Sequence, residues 1–317
     1  MYIHFISTLF FILTFVSCNQ LGLSKKDDNN SQRNLLLGAV IAQQSVGTSA
    51  INFKAIAGTQ GEVGCSQKIM GHKHISNSEN LYIKDLRFYV HDIYVKDFSG
   101  NKQSVTPIPD GKFQSNSLVL LDFEDGTGDC SGGTTEMNKS IKANIIGTNF
   151  ASIGFTIGVP ESSNFLDNTS QSAPLNVNAM YWNWKSGYKF FKFEFVTKDG
   201  TNISSSFHLG SGGCNGATNT TPSTSCQYPN RPTIELKKSD GSAINLSTDV
   251  VYLDLKNLLN GTNTSSSATP AGAPLNCMGA ANTDLTCKPL LNNIGINEAT
   301  GGNYSTQTSF SVGANSN

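Results

Sequence analysis

The sequence predicts an all-β fold, an antiparallel β-sandwich with long loops and disulfide staples. Three observations carry that prediction. Apolar residues recur at every second position instead of every third or fourth. Turn dipeptides separate the apolar runs: Ser99-Gly100, Asp110-Gly111, Asp125-Gly126, Asp199-Gly200 and Asp240-Gly241. Seven cysteines are present, and setting Cys18 aside leaves an even number for pairing.

The first element is an export signal. Phe5 to Val16 is an apolar run of signal-core length, too short to span a bilayer. Phe15-Val16-Ser17-Cys18 puts a small residue directly before cysteine, which suits lipoprotein processing with acylation of Cys18; the alternative is an ordinary signal peptide with an incidental cysteine. Residues 1–17 are therefore expected to be a lipoprotein signal peptide and 18–46 a flexible tether. The Ser, Asn, Asp, Lys and Gln of Asn19 to Asn34 cannot bury enough surface to fold. The expected location is periplasmic or cell-surface, with a lipid anchor to a bacterial membrane.

A β-sandwich domain is expected over 47–296 and a disordered tail over 297–317. Leu86, Phe88 and Val90 are in step, while Ile93 and Val95 are out of step, so one extra residue near His91-Asp92 predicts a β-bulge. Leu118 to Phe123 is an apolar run broken only by Asp122, as in a central strand. Asn138 to Ile146 and Leu255 to Leu259 are the best short helix candidates. Strands are predicted where Ile153, Phe155, Ile157 and Val159 alternate with smaller residues, and where Phe191, Phe193 and Phe195 alternate with Lys192 and Glu194. Ile234 with Leu236, and Val251 with Leu253 and Leu255, repeat the pattern. Asp199-Gly200 suits a hairpin. Gly261 to Ala273 is low-complexity loop.

Cysteine usage fits an oxidising compartment. Cys65, Cys130, Cys214, Cys226, Cys277 and Cys287 allow fifteen pairings. Proximity favours Cys214 with Cys226 and Cys277 with Cys287, leaving Cys65 with Cys130. A zinc–cysteine cluster is the rival, but no C-x2-C pair exists. The net charge is −1 with scattered charges, and no basic stripe follows a phosphate backbone, which excludes nucleic acid as a partner. Gly210-Ser-Gly-Gly213 lacks the lysine and helix of a phosphate loop, and there is no G-x-S-x-G hydrolase elbow. Glu124 and Asp125 are sequence neighbours, poorly placed for a glycosidase pair. Asp122 to Gly126 lacks EF-hand spacing and reads as a turn with a solvated acidic face.

Histidine and tryptophan carry the remaining chemistry. Both tryptophans, Trp182 and Trp184, are two residues apart, so on a strand they share one face. They read either as sandwich core or as part of a site. His208, between Phe207 and Leu209, is a core histidine or a metal ligand. His91 is a bulge residue bonded to a backbone carbonyl, or a ligand. His72 and His74 form H-x-H, either a metal pair or a surface loop. Imidazoles beside a soft or aromatic neighbour suit copper in an exported protein.

Leu86-Arg-Phe-Tyr-Val-His-Asp-Ile93, Leu120-Leu-Asp-Phe-Glu-Asp-Gly126, Gly154-Phe-Thr-Ile-Gly-Val-Pro160 and Pro174-Leu-Asn176 occur in that order. They lead to Met180-Tyr-Trp-Asn-Trp-Lys-Ser-Gly-Tyr-Lys-Phe190 and Phe207-His-Leu-Gly-Ser-Gly-Gly-Cys214. The ordered series resembles the MbnP-like copper-binding family, the methanobactin-associated periplasmic proteins also described as the four-cysteine component of a metallo-mystery pair. The resemblance runs from about Ile51 to Ile294. It implies a copper-binding β protein that is not an enzyme, paired with a di-haem cytochrome c peroxidase-like (MauG-like) protein that oxidises a tryptophan to kynurenine. On matching positions it implies Trp182 or Trp184 as the oxidised residue and His208 as an imidazole ligand, and the four-cysteine label falls on Cys214, Cys226, Cys277 and Cys287. Relatives usually carry Asn-His after the Gly-Val-Pro turn, where this chain has Asn164-Phe165. The competing functions are a non-metal, adhesin-like binding sandwich and an exported hydrolase, for which no constellation of residues is assembled.

Overall fold

The computed structural model describes residues 47–69, 81–183, 185–198, 202–215, 223, 225–262, 275–278, 281–284, 286–304 and 306–316. The expected signal peptide and tether, Cys18, His72, His74, Trp184, Asp199-Gly200 and most of the Gly261 to Ala273 loop lie outside these residues. Two short strands and eleven others build the two main sheets, the eleven being β1 (Gly47–Ile56), β2 (Leu81–Lys96), β3 (Leu118–Asp122), β4 (Ser140–Ile145), β5 (Ser152–Ile157), β6 (Phe191–Lys198), β7 (Asn202–Leu209), β8 (Thr233–Leu236), β9 (Asp249–Asp254), β10 (Asn276–Met278) and β11 (Phe310–Ala314). The smaller sheet runs β11-β9-β1-β4; the larger, nine-stranded sheet runs β8-β5-β2-β6-β7-β10, with β3 and the short strands Lys68–Ile69 and Lys102–Ser104 also on β2.

The all-β prediction holds, with one correction to its antiparallel character. β1 pairs parallel with β9, and β7 pairs parallel with β10. Both parallel partners return after long connections, which a parallel pair requires. The predicted bulge is present: the β2–β5 register shifts between His91 and Tyr94, and Asp92 takes a positive φ of 49°. That bend lets one strand serve two neighbours, β6 through Leu81 to Phe88 and β5 through Val90 to Lys96. Asn138 to Ile146 is strand β4 instead of helix; its Ile141, Ala143 and Ile145 face inward and Lys142 and Asn144 outward, a period of two. The short helix Leu255–Leu258 forms as expected, capped by Asp254 accepting from the Lys256 and Asn257 amides.

The core between the sheets is aromatic. Phe88 stacks on Phe191 with ring centroids 5.2 Å apart and on Phe123 at 5.9 Å, and meets Phe53 and Phe310 edge-on at 6.3 and 5.9 Å. Phe310 also meets Phe155 edge-on at 5.6 Å. The expectation of a disordered tail over 297–317 is thereby corrected. Phe310–Ala314 is the edge strand of the smaller sheet, and its aromatic side chain sits in the middle of the sandwich.

Three bridges close the loops: Cys65–Cys130, Cys214–Cys226 and Cys277–Cys287. Cys214–Cys226 joins directly paired residues of the Gly212–Asn215 and Ser225–Tyr228 hairpin, and Cys277–Cys287 ties β10 to the turn before the helix Lys288–Asn293. Among the described residues no helix is long and apolar enough to cross a membrane.

Phe310→Ala is expected to cost about 3–5 kcal/mol, the usual loss for truncating a fully packed phenylalanine. Urea unfolding of the variant measures it; a loss below about 1 kcal/mol would mean that the C-terminal strand does not complete the core.

Candidate functional site

Strand register sets the site. The larger sheet has two faces, because successive side chains alternate. Phe88, Phe191, Phe193 and Phe207 face the aromatic core. On the opposite face Asp122 of β3 pairs with Arg87 of β2, Arg87 with Lys192 of β6, Lys192 with His208 of β7, and His208 with Met278 of β10. One straight row of chemistry-bearing side chains thus crosses five strands. In the adjoining row Asp85 pairs with Glu194.

This face is largely removed from water. Asp85, Arg87, Asp122, Glu124, Lys192 and His208 are all buried, and buried charge persists only when it is paired. Arg87 Nε donates to Asp85 Oδ1 at 2.8 Å and Nη2 to Oδ2, while Nη1 is 3.4 Å from Glu124 Oε1. Lys192 Nζ donates to Asp85 Oδ2 at 2.5 Å and is 3.4 Å from Glu194 Oε1. His208 Nε2 lies 2.7 Å from Glu194 Oε1. A chain of paired charges therefore runs from Glu124 through Arg87, Asp85, Lys192 and Glu194 to His208. Glu124 also accepts from the Gly126 and Thr134 amides at 3.2 and 2.9 Å, and any Cβ at Gly133 would overlap its carboxylate. The solvated acidic face expected of Asp122 to Gly126 is corrected accordingly. Only Asp125 points toward water, and Asp122 and Glu124 are buried counter-charges.

The face holds four carboxyl groups (Asp85, Asp122, Glu124 and Glu194) and the cations Arg87 and Lys192, with Lys189 at its Trp182 end. Burial raises the Asp122 carboxyl to about 7 from the usual 3.8; Arg87 pulls it down, and Glu124 adds to the rise. Burial also acts to raise Glu194, but the bond from His208 and the charge of Lys192 outweigh it and bring it to about 2. Glu194 is thus a permanent anion that takes the Nε2 hydrogen of His208. Among the described residues the buried Nδ1 of His208 has no hydrogen-bond partner; in the Nε2–H tautomer it carries a lone pair.

Trp182 closes the open end of the row. It lies on the short strand Tyr181–Asn183, which pairs with Gly187–Tyr188. Its ring centroid is 6.5 Å from that of His208, and Lys189 Nζ lies 5.9 Å above the indole. Burial, with the charge of Lys192, lowers the Lys189 ammonium. Gly210 makes room for the indole, since a Cβ there would sit 2.4 Å from Trp182 Cζ3. Tyr181 stacks at a tilt on Tyr188 at 4.8 Å, and Tyr188 meets Tyr89 edge-on at 6.1 Å. Their hydroxyls are anchored by the Pro174-Leu175 stretch: Tyr89 donates to Pro174 O at 2.9 Å and Tyr188 to Leu175 O at 2.8 Å.

The structure does not bring every candidate together. His91 is four residues farther along β2 than Arg87 and two strands away from β7, roughly 15 Å from His208 by strand geometry. Its Nδ1 meets Gly158 O at 2.8 Å, and burial lowers its basicity, so it is a neutral ring tied to the bulge. Phe165, in the position where a histidine was expected from the resemblance, is buried. Among the described residues no three His, Cys, Asp or Glu side chains converge on one metal position. The sequence reading did not single out Glu194, Asp85 or Lys192 as site residues. The Phe191 to Phe195 alternation gave the face of Glu194 but not that the face is covered.

A family model described as MbnP matches residues 46–279. Among solved structures, MbnP from Methylosinus trichosporium superposes with a TM-score of 0.69 at 22% identity, covering 85% of this chain and 99% of that one. No curated protein matches the chain.

Two outcomes follow from the geometry. Between pH 3.8 and about 7 the native Asp122 retains a proton that the unfolded chain releases, so its contribution to stability falls as pH rises through that window. Asp122→Asn is expected to gain stability relative to wild type from pH 4 to 7, with an opposite, Glu194-dependent loss of stability in both proteins as pH falls from 4.5 toward about 2. Urea midpoints across pH measure both, and a pH-independent difference between the two proteins would contradict the burial of Asp122. Gly210→Ala is expected to cost about 1–3 kcal/mol by overpacking and to change the Trp182 emission. An unshifted spectrum at unchanged stability would place the indole elsewhere.

Proposed function

The chain belongs to the MbnP family, and from that membership we propose that it is an exported copper-binding protein, not an enzyme, with its copper at the His208–Trp182 end of the buried polar row. One observation carries this reading: His208 is held by a carboxylate at Nε2, and among the described residues its buried Nδ1 has no partner. Metal-ligating histidines regularly give their other ring hydrogen to a carboxylate, which sets the tautomer and strengthens the ligand. An orphaned buried nitrogen is otherwise a cost, and a metal ion removes it.

In this reading His208 is the ligand, Glu194 its orienting partner, and Lys192 and Asp85 hold Glu194 in place. His72 and His74, outside the described residues, remain the sequence's other candidate imidazoles. Bound copper supplies a centre that accepts soft and imidazole ligands and changes oxidation state by one electron. Trp182 is the residue oxidised by a di-haem peroxidase-like partner. The balanced change is tryptophan plus two peroxide equivalents to N-formylkynurenine and two waters, followed by hydrolysis to kynurenine and formate. The aryl amine and ketone so formed would supply further donors on the residue whose ring lies 6.5 Å from that of His208. Lipidation of Cys18 tethers the protein to a bacterial membrane.

Peptide mass spectrometry with metal analysis, on protein from its native host, tests the reading. The expected result is a net loss of one carbon and gain of one oxygen on the Trp182 peptide, with copper present. Loss of stoichiometric copper is expected in His208→Ala. Unmodified tryptophans without copper would favour a non-metal, adhesin-like sandwich, and full copper retention by His208→Ala would remove His208 from the site.

A further inference from the structure

We propose that the end of the sandwich at which β1 begins is a membrane-contact surface, with Phe98 and Ile146 entering the lipid interface of the bilayer that holds the Cys18 anchor. The proposal goes beyond the metal reading and rests on one part of the proposed function, the lipidation of Cys18. Strand register places both residues at that end. Gly47, where β1 begins, pairs with Ile145 of β4, so Ile146 is the first residue past the last pair. Lys96 of β2 pairs with Ser152 of β5 and with Lys102 of the short strand Lys102–Ser104, and Phe98 lies on the turn between Lys96 and Lys102. Residues 146–151 alone separate β4 from β5, which keeps the two loops together. The Ala151 amide donates to Lys96 O at 2.8 Å. The Gln103 side-chain amide, turned so that both of its ends are matched, donates to Ile146 O at 3.1 Å and accepts from the Ile146 amide at 2.9 Å.

Packing does not account for these side chains. Phe98 is 65% exposed, the most exposed large apolar residue among those described, and Ile146 is 45% exposed. One scattered apolar residue in water is ordinary; two at one end of the sandwich, presented by fixed backbone, form a wedge. The Phe98 turn is closely held. Asp97 Oδ1 accepts from the Ser99 and Asn101 amides at 2.9 and 2.8 Å, Asn101 Nδ2 donates to Asp97 Oδ2 at 2.7 Å, and the Gly100 amide donates to Asp97 O at 3.0 Å. Gly100 supplies the left-handed φ of 85°. None of this asks for a phenyl ring at position 98. The charges nearby are matched: Lys96 lies 2.6 Å from Glu235 and Lys238 2.7 Å from Asp249, while Lys102 and Lys237 are balanced by Asp97 and Asp240. The end therefore offers an apolar tip without a field of one sign, which suits burial of hydrocarbon at the interface instead of attraction to anionic headgroups. The chain between Cys18 and Gly47 decides the occupant. A coil of that length spans about 30 Å, so an acyl anchor at Cys18 keeps this end nearer the lipid than the other, at high effective concentration. Weak contacts then reinforce the anchor as a second membrane signal does.

The test uses the full processed chain, its Cys18 lipid verified by intact mass, in vesicles of phosphatidylethanolamine and phosphatidylglycerol. The same chain carrying Cys18→Ser, in buffer, is the reference. Hydroxyl-radical labelling read by peptide mass spectrometry reports exposure residue by residue. On vesicles the lipidated chain is expected to lose labelling at Phe98 and Ile146, down to the level of the buried Phe53. Met137, exposed just before β4 at the opposite end, is expected to label as in the reference, and added salt to change neither result. Phe98→Ser, at an exposed position where substitutions cost little stability, is expected to return Ile146 to its reference level. Full labelling of Phe98 in the lipidated, vesicle-bound chain, or equal protection of Met137, would overturn the contact and leave the anchor standing. Cys18 without lipid in protein from the native host would overturn both. Protection of Phe98 already present in the Cys18→Ser chain in buffer would overturn the bilayer as occupant. It would assign the end to a second copy if it grows with protein concentration, and to the apolar residues 35–42 of the same chain if it does not.

Discussion

Everything on the functional face depends on keeping Asp85, Asp122, Glu124, Arg87, Lys192 and His208 out of water at once, with the partly exposed Glu194 at the edge of the set. Removing one partner from such a set leaves an uncompensated buried charge, a cost of several kcal/mol. The arrangement therefore tolerates little local change. Arg87 is held by Asp85 through two bonds, Asp85 also binds Lys192, and Lys192 lies beside Glu194. Glu194 stays ionised because these neighbours outweigh its burial, and an ionised Glu194 is what directs the hydrogen of His208 to Nε2. A buried Nδ1 that no described residue engages is the chemical output of the whole row. A histidine on an exposed strand would exchange tautomers freely and offer no such fixed donor.

The fold supplies the row by register alone. A slip of one residue in β6 or β7 would turn the charges toward Phe53 and Phe310 and the phenylalanines toward the polar face. The aromatic core opposes that slip, so core packing and site geometry are enforced by the same pairing. The bulge at His91-Asp92 contributes at a distance. It bends β2 so that its first half can pair with β6 and its second with β5, which places Arg87 beside Lys192 while the strand continues across the sandwich.

Much of this was legible from residue order, and the failures have definite physical causes. Period-two alternation located β5, β6, β8 and β9, and the phase break located the bulge, because both are local properties of a pleated strand. Asn138 to Ile146 was misread as helix since its outward residues, Lys142 and Asn144, carry no strand preference and only Ile141, Ala143 and Ile145 reveal the period. The C-terminal strand was missed for a different reason: Phe310 gains its stability from Phe88 and Phe155, residues more than a hundred positions away. The site divides in the same way. His208 and Trp182 stand out by residue type, whereas Glu194, Lys192 and Asp85 look like ordinary charges until the sheet register buries Asp85 and Lys192 and sets Glu194 beside His208.

The central claim is that Glu194 fixes His208 as the Nε2–H tautomer with a lone pair at Nδ1 ready for a metal. Nitrogen-15 NMR of the His208 ring in the metal-free protein measures this directly, followed by addition of one equivalent of diamagnetic Cu(I). The account predicts an unprotonated Nδ1 resonance near neutral pH that shifts on copper addition while Nε2 keeps its hydrogen. A ring protonated at Nδ1, or one whose Nδ1 resonance ignores copper, would contradict it.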